Sequence, residues 1–132
     1  MNPAIWRAYR NTLYRTGGAE IRIGRRCAVV DAMLARTQAL VLISAHNPRS
    51  RLMPPGWNQR MHARLRAVTR RYHPKEATGT WHRWSEAHLA VITDPRAGAV
   101  FARRFRQNAI VIVPRGQPAR LSVTLRPCGG VS

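Results

Sequence analysis

With 132 residues, 45% of them hydrophobic, the chain is long enough for one domain with a single core and too apolar to be disordered by composition. Its 23 basic residues face only 5 acidic ones, a formal net charge of +18. Such an imbalance costs self-repulsion unless an anion is near, so it favours nucleic acid above all, then an acidic protein or an anionic lipid, as partner. Lys75 is the only lysine; arginine in place of lysine is what GC-rich coding produces, but the shortage of Asp and Glu is not explained that way. The apolar runs Ala39–Ala45 and Ala109–Val113 are too short to span a bilayer, and MNPAIWRAYRN has no signal-peptide core. A soluble, cytoplasmic protein without a membrane role is expected. Cys27 and Cys128 are isolated and read as inert thiols, with a disulfide between them left open.

Taken in chain order, Tyr9 to Gly24 reads as two short strands around the turn Gly17-Gly18. RRCAVVDAMLART follows, with Val29, Val30, Met33 and Leu34 at helical spacing. ALVLISAH is apolar almost throughout, so a strand covered on both faces is expected. A long loop from Asn47 to about Trp57 comes next, then a helix from about Asn58 with Met61, Leu65, Val68 and Tyr72 as its apolar stripe. Arg60, Arg64 and Arg71 form one basic row beside that stripe, and Arg66 and Arg70 a second. Pro74 ends this helix. Two strands are read around TWHRW and AHLAVIT. Asp94-Pro95 starts a last helix, with Asp as N-cap and Pro at the first helical position, and Ala97, Val100, Phe101 and Phe105 as its buried stripe. Arg103, Arg104 and Arg106 crowd its C-terminal end. AIVIV is another interior strand, PRGQPA a turn, RLSVTL a partner strand and RPCGGVS a frayed tail. The order predicts an α+β protein with a ferredoxin-like βαββαβ sandwich core, an extra N-terminal ββα and a C-terminal strand. Helices on one face and an open face on the other are expected. The domain is placed at 1–126 and the tail at 127–132.

ISAHNPRSR, an Asn opening the next helix at Asn58, WSEAHLAV and ARRFRQNAIVIV together resemble an uncharacterised bacterial family, domain of unknown function 3293. The resemblance extends over roughly Tyr9 to Leu125. The matching positions are Asn47, Pro48, Ser50, Asn58, Trp84, Glu86, Gln107 and Asn108. Arg106 stands where the family usually has Gly, and His46 where an aromatic is common. The resemblance supports the fold reading and implies no accepted activity.

Asn47, Asn58, Glu86, Gln107 and Asn108 are polar and sit where strands or helices begin or end. Two readings stand for them. They cap helices and close turns, with Glu86 the partner of an arginine, or they line a small pocket that reads a planar polar ligand. Glu86 with His88 on the same strand face is the one acid/base candidate, with His46 able to join. No nucleophile–base set, paired carboxylates, HExxH, P-loop or dinucleotide fingerprint is legible, so neither a metal nor a cofactor is expected. Trp57 is the favoured exposed aromatic, Trp81 and Trp84 sit on opposite faces of one strand, and Trp84 is expected in the core. A binding module is therefore expected rather than an enzyme. Arg49, Ser50, Arg51, Arg60, Arg64 and Arg71 would contact the phosphates of nucleic acid, RNA more than DNA. A small enzyme using Glu86 and an interaction domain for an acidic protein are the alternatives.

Overall fold

The computed structural model describes residues 2–124. The expected tail at 127–132, the domain boundary at 126 and any pairing of Cys27 with Cys128 lie outside the described residues. Mixed helix and sheet make this an α+β protein. Helices are α1 (Pro3–Asn11), α2 (Ala28–Met33), α3 (Pro55–Val68) and α4 (Pro95–Arg104). Strands are β1 (Leu13–Thr16), β2 (Ala19–Ile21), β3 (Ala39–Ile43), β4 (Lys75–Trp81), β5 (Trp84–Thr93), β6 (Ala109–Pro114) and β7 (Arg120–Val123). All seven form one sheet in the order β2-β1-β4-β5-β3-β6-β7, and every neighbouring pair is antiparallel.

Strand β3 is buried at every position, as its unbroken apolar run requires of a strand with layers on both sides. Val41 and Ile43 point to one layer, with Leu65 of α3, Ala102 of α4, Leu89, Val91, Ile110 and Ile112. Leu40 and Leu42 point to the other, with Tyr14, Ile21, Val30 of α2, Leu34, Val111 and Val113. Helix α4 approaches β3 so closely that a Cβ on Gly98 would lie 2.7 Å from Val41 Cγ1, which makes glycine a packing requirement there.

The second layer corrects the expected open face. Helix α2 fills it, and the sheet curls until its two edges meet. Ile23 bridges Ala119, Gly24 donates to the Ala119 carbonyl at 2.7 Å, and Ala119 donates to the Arg25 carbonyl at 2.9 Å. Helices thus lie on both faces, because Tyr14, Ile21 and Val30 supply a second apolar set that one layer cannot bury. On α2 itself only Val30 is buried, together with the flanking Cys27 and Leu34, while Val29 and Met33 are each 48% exposed.

Other boundaries also move. Tyr9–Asn11 end α1 instead of starting a strand: Asn2 caps this helix through Ala4 N–H, and Pro3 sits at its first position. Helix α3 starts at Pro55, which shortens the loop, again because proline suits a first turn. TWHRW is not one strand. His82-Arg83 is a two-residue hairpin turn with His82 at φ 54°, and Trp81 pairs directly with Trp84. The two tryptophans therefore share a face.

The end of α4 is the most informative local feature. Gln107 N–H donates to Ala102 O at 2.9 Å and Arg106 N–H to Arg103 O at 3.1 Å, the paired bonds of a Schellman motif. Arg106 occupies its left-handed position at φ 55°. The geometry that a Gly would make easy is kept, at a backbone cost of about 1 kcal/mol for a residue with a Cβ. Arg106→Gly is accordingly expected to stabilise the protein by about 0.5–1 kcal/mol in chemical denaturation.

Candidate functional site

The segment after β3 carries three residues in left-handed conformation: Asn47 (φ 47°), Arg49 (φ 55°) and Ser50 (φ 61°). Strain of this kind persists only where surrounding bonds over-determine it, and here they do. Asn58 Oδ1 accepts from Asn47 N–H and Asn58 Nδ2 donates to Asn47 Oδ1, both at 3.0 Å. Met53 N–H adds a third bond, to Asn47 Oδ1 at 2.9 Å. Gln107 Nε2 donates to the His46 carbonyl at 3.0 Å, Asn108 Nδ2 to Ser50 Oγ at 2.7 Å, and Arg49 N–H to the Arg106 carbonyl at 2.7 Å. The amides expected either to hold turns or to line a pocket do both: Asn58 and Asn108 hold the loop, while Asn47 and Gln107 hold it and also face a cavity.

That cavity, of about 390 Å³, opens beside the C-terminal end of β3 on the α2 side of the sheet. Helix α1 contributes Ile5, Ala8 and Tyr9, and the hairpin contributes Trp81 and Trp84. Trp84 is 43% exposed at the mouth, so it belongs to the site and not to the core as expected. Glu86, His88, His46 and Ser50 complete the polar part of the wall.

Glu86 is the odd group in it. Four of the chain's five carboxylates are engaged by cations or by a helix end. Glu20 pairs with Arg15, Asp31 with Arg26, Glu76 with Arg66 and His62, and Asp94 caps α4 through Arg96 N–H. Glu86 has no cationic partner among the described residues, which corrects the arginine pairing considered for it. Its one side-chain bond comes from the Ser44 hydroxyl, at 3.0 Å. Burial pushes its carboxyl up to about 7, with the Ser44 bond opposing. The Ser44 hydroxyl has one proton and two acceptors, Glu86 Oε1 and the Ala87 carbonyl at 3.1 Å, and it also receives His46 N–H. It can therefore turn as Glu86 gains or loses its proton.

His88 does not bond the Glu86 carboxyl. Its ring is buried edge-on to Tyr14, with Nδ1 3.2 Å from the Glu86 backbone carbonyl. Burial holds it down to about 4, so it stays neutral at pH 7. Burial, and then the Glu86 charge, push Tyr9 up to about 12. His46 stands edge-on to His62 and is lowered by burial first and by His62 second.

The arginines expected to bind an anion do not form one cluster. Arg49 and Arg51 are exposed on the loop that rims the cavity. Arg64 lies on the opposite face of the sheet, in a second cleft with Arg104 and Arg106. Arg60 folds back toward Gly56. Arg71 lies over the Tyr72 ring at 4.8 Å and donates to its hydroxyl. Arg66, in the second basic row, is matched by Glu76 from β4, a partner invisible from the helix alone.

A family model described as Protein of unknown function (DUF3293) matches residues 43–110, a stretch that starts at the last residue of β3 and contains α3, β4, β5, α4 and every motif residue named above. The chain belongs to this family. Within DUF3293, as this member presents it, the motif amides build the loop and Trp84 and Glu86 face the cavity. The N-terminal wall of Ile5, Ala8, Tyr9 and Tyr14 lies outside the matched stretch. No curated protein and no solved structure matches the chain.

A raised carboxyl has a direct consequence for stability. The folded state holds the Glu86 proton more tightly than the unfolded chain, so this group's contribution is fully present below about pH 4.5 and is lost as pH rises toward 7. Glu86→Gln is expected to match the wild type near pH 4 and to exceed it by up to about 3 kcal/mol at pH 8, in denaturation curves across that range.

Proposed function

We propose that the cavity around Glu86 is the working site of the protein: it takes a small, uncharged, largely planar ligand and uses Glu86 as a proton donor or acceptor toward it. One observation carries this reading. In a chain of net charge +18, the carboxyl facing the cavity of about 390 Å³ is, among the described residues, neither ion-paired nor tied to a helix end. An acid poised near neutral pH in a cleft is suited to general acid–base work, and it costs the fold stability that a purely structural residue would not be expected to cost. Trp81, Trp84 and Tyr9 offer apolar faces to a planar ligand, and Gln107 and Asn47 offer amides at its edge. Saturation-transfer NMR with uncharged nucleobases, nucleosides and other heteroaromatics at pH 5 to 9 tests it. Binding that changes with an apparent pKa near 7 in the wild type, and stays flat in Glu86→Gln, is expected. No binder, or binding indifferent to pH in both proteins, sinks the reading.

A second reading is favoured by the alternation along the loop. Asn47, Ser50 and Leu52 face the cavity while Arg49 and Arg51 point to solvent at its rim. A single-stranded nucleic acid fits this arrangement, with one unstacked base in the cavity and phosphates at the rim. Arg49→Ala with Arg51→Ala is expected to weaken RNA binding regardless of sequence and to lower the salt slope by about 1 to 2. An unchanged slope in fluorescence anisotropy removes both residues from the contact.

We further infer that β3, α3, β4, β5, α4 and β6 constitute a ferredoxin-like core to which the N-terminal segment and β7 are additions. The strand order β4-β5-β3-β6, with α3 and α4 packed on one face, supports this.

A further inference from the structure

On the opposite face of the sheet, behind the same loop, lies a cleft of about 180 Å³. It is lined by Ala45, Pro48, Trp57, Met61, Phe105 and three arginines, Arg64, Arg104 and Arg106. Its size is below the roughly 300–1,000 Å³ of sites for larger ligands and suits a compact group.

Three like charges around one cleft repel, and no carboxylate among the described residues pairs with them. Among the described residues none of the three forms an ion pair. The carboxylates are committed elsewhere, four to arginine, histidine or a helix end and the fifth to the Glu86 cavity. The described residues supply no counter-charge for this cleft. The backbone adds to the cost, since Arg106 reaches the cleft from a left-handed residue whose carbonyl is tied to Arg49 N–H at 2.7 Å. A strained residue that also adds uncompensated charge points to a task other than stability. The remaining walls indicate what the anion is attached to. Trp57 stands in the first turn of α3, which has no side-chain cap, and the unsatisfied N–H groups of such a turn favour an anion beside it. With Phe105 it gives the cleft an aromatic side against which a flat group lies.

We propose that this cleft is a phosphate site, in which Arg64, Arg104 and Arg106 hold the phosphate of a nucleotide unit and Trp57 flanks its planar part. The proposal deepens the nucleic-acid reading by naming where a phosphate is held, and it does not depend on the Glu86 cavity. The nucleotide unit is either free or part of a strand, and the test separates the two.

The 132-residue chain is titrated with inorganic phosphate, AMP and a five-residue single-stranded RNA at about 150 mM salt. The readout is the Trp57 indole N–H signal, assigned with Trp57→Phe. Expected is a saturable shift with AMP and with the RNA, and a weaker one with phosphate. The double variant Arg64→Ala, Arg104→Ala should lose at least tenfold in affinity, and Arg106→Gly several-fold while remaining folded. The control Arg22→Ala, Arg25→Ala removes the same charge beside the closure of the sheet and should change affinity less than twofold. AMP saturating the signal as the RNA does assigns the cleft to a free nucleotide, and RNA alone saturating it assigns the cleft to a strand. Equal losses in control and test variants, or no Trp57 shift with any of the three, overturn the proposal. RNA binding that survives Arg64→Ala, Arg104→Ala but fails in Arg49→Ala, Arg51→Ala overturns the cleft and leaves the loop surface standing.

Discussion

The reciprocal bonding of Asn47 and Asn58 is the constraint on which the functional end of this molecule depends. Two amides, eleven residues apart, satisfy each other and the loop backbone and hold the left-handed Asn47, while left-handed Arg49 and Ser50 are tied to the Arg106 carbonyl and to Asn108. Because that loop is held rigid, its side chains divide cleanly. His46, Asn47 and Ser50 face the cavity on one side of the sheet, and Ala45 and Pro48 face the cleft on the other. Two sites of different chemistry are thereby placed back to back on one wall. Gln107 and Asn108, at the junction of α4 and β6, brace the same wall from behind, and the Asn108 side-chain oxygen is buried with no partner among the described residues.

Charge is distributed with the same economy. The carboxylates are few, and those spent on pairing sit at the surface, where such pairs contribute little to stability. Asp94 caps α4, and Glu86, which does neither, stands in an apolar cavity where desolvation raises its carboxyl to about 7. The cleft across the sheet is the converse, cations gathered where no carboxylate of the described residues pairs with them. The two share the wall that the loop forms, one an apolar pocket with an acid poised near pH 7, the other a cationic cleft with aromatic walls. Each nonetheless stands on its own residues.

Much of the fold was legible because burial periodicity is a local property. The strand of Ala39–Ile43, the stripe of α3 and the Asp94-Pro95 start of α4 all follow from spacing and cap chemistry within a few residues. Errors arose where local signals compete. WHRW has no Gly, Asn or Asp to mark a turn, so it reads as a strand until Trp81 pairs with Trp84. PAIWRAYRN is amphipathic, but α1 buries no residue fully and runs almost directly into β1, so its end is hard to place from spacing. Val29 and Met33 look like core but are left outside when Val30 and Leu34 alone meet the sheet. The motif residues could be named in advance, but not their division of labour, and the N-terminal wall of Ile5, Ala8 and Tyr9 escaped notice because no motif marks it.

The amino-acid sequence by itself determined the class of protein, the apolar strands and helix stripes, the excess of arginine and the set of polar residues worth watching. These depend on composition and on neighbours a few positions apart. Tertiary structure alone decided that the sheet curls and closes on α2, that Glu86 meets Ser44 and no arginine, and that Arg64 joins Arg104 and Arg106. Each of those facts sets together residues about forty or more positions apart. What such a side chain touches, and hence whether a carboxyl is an ion-pair partner or a poised acid, is a property of the packing around it.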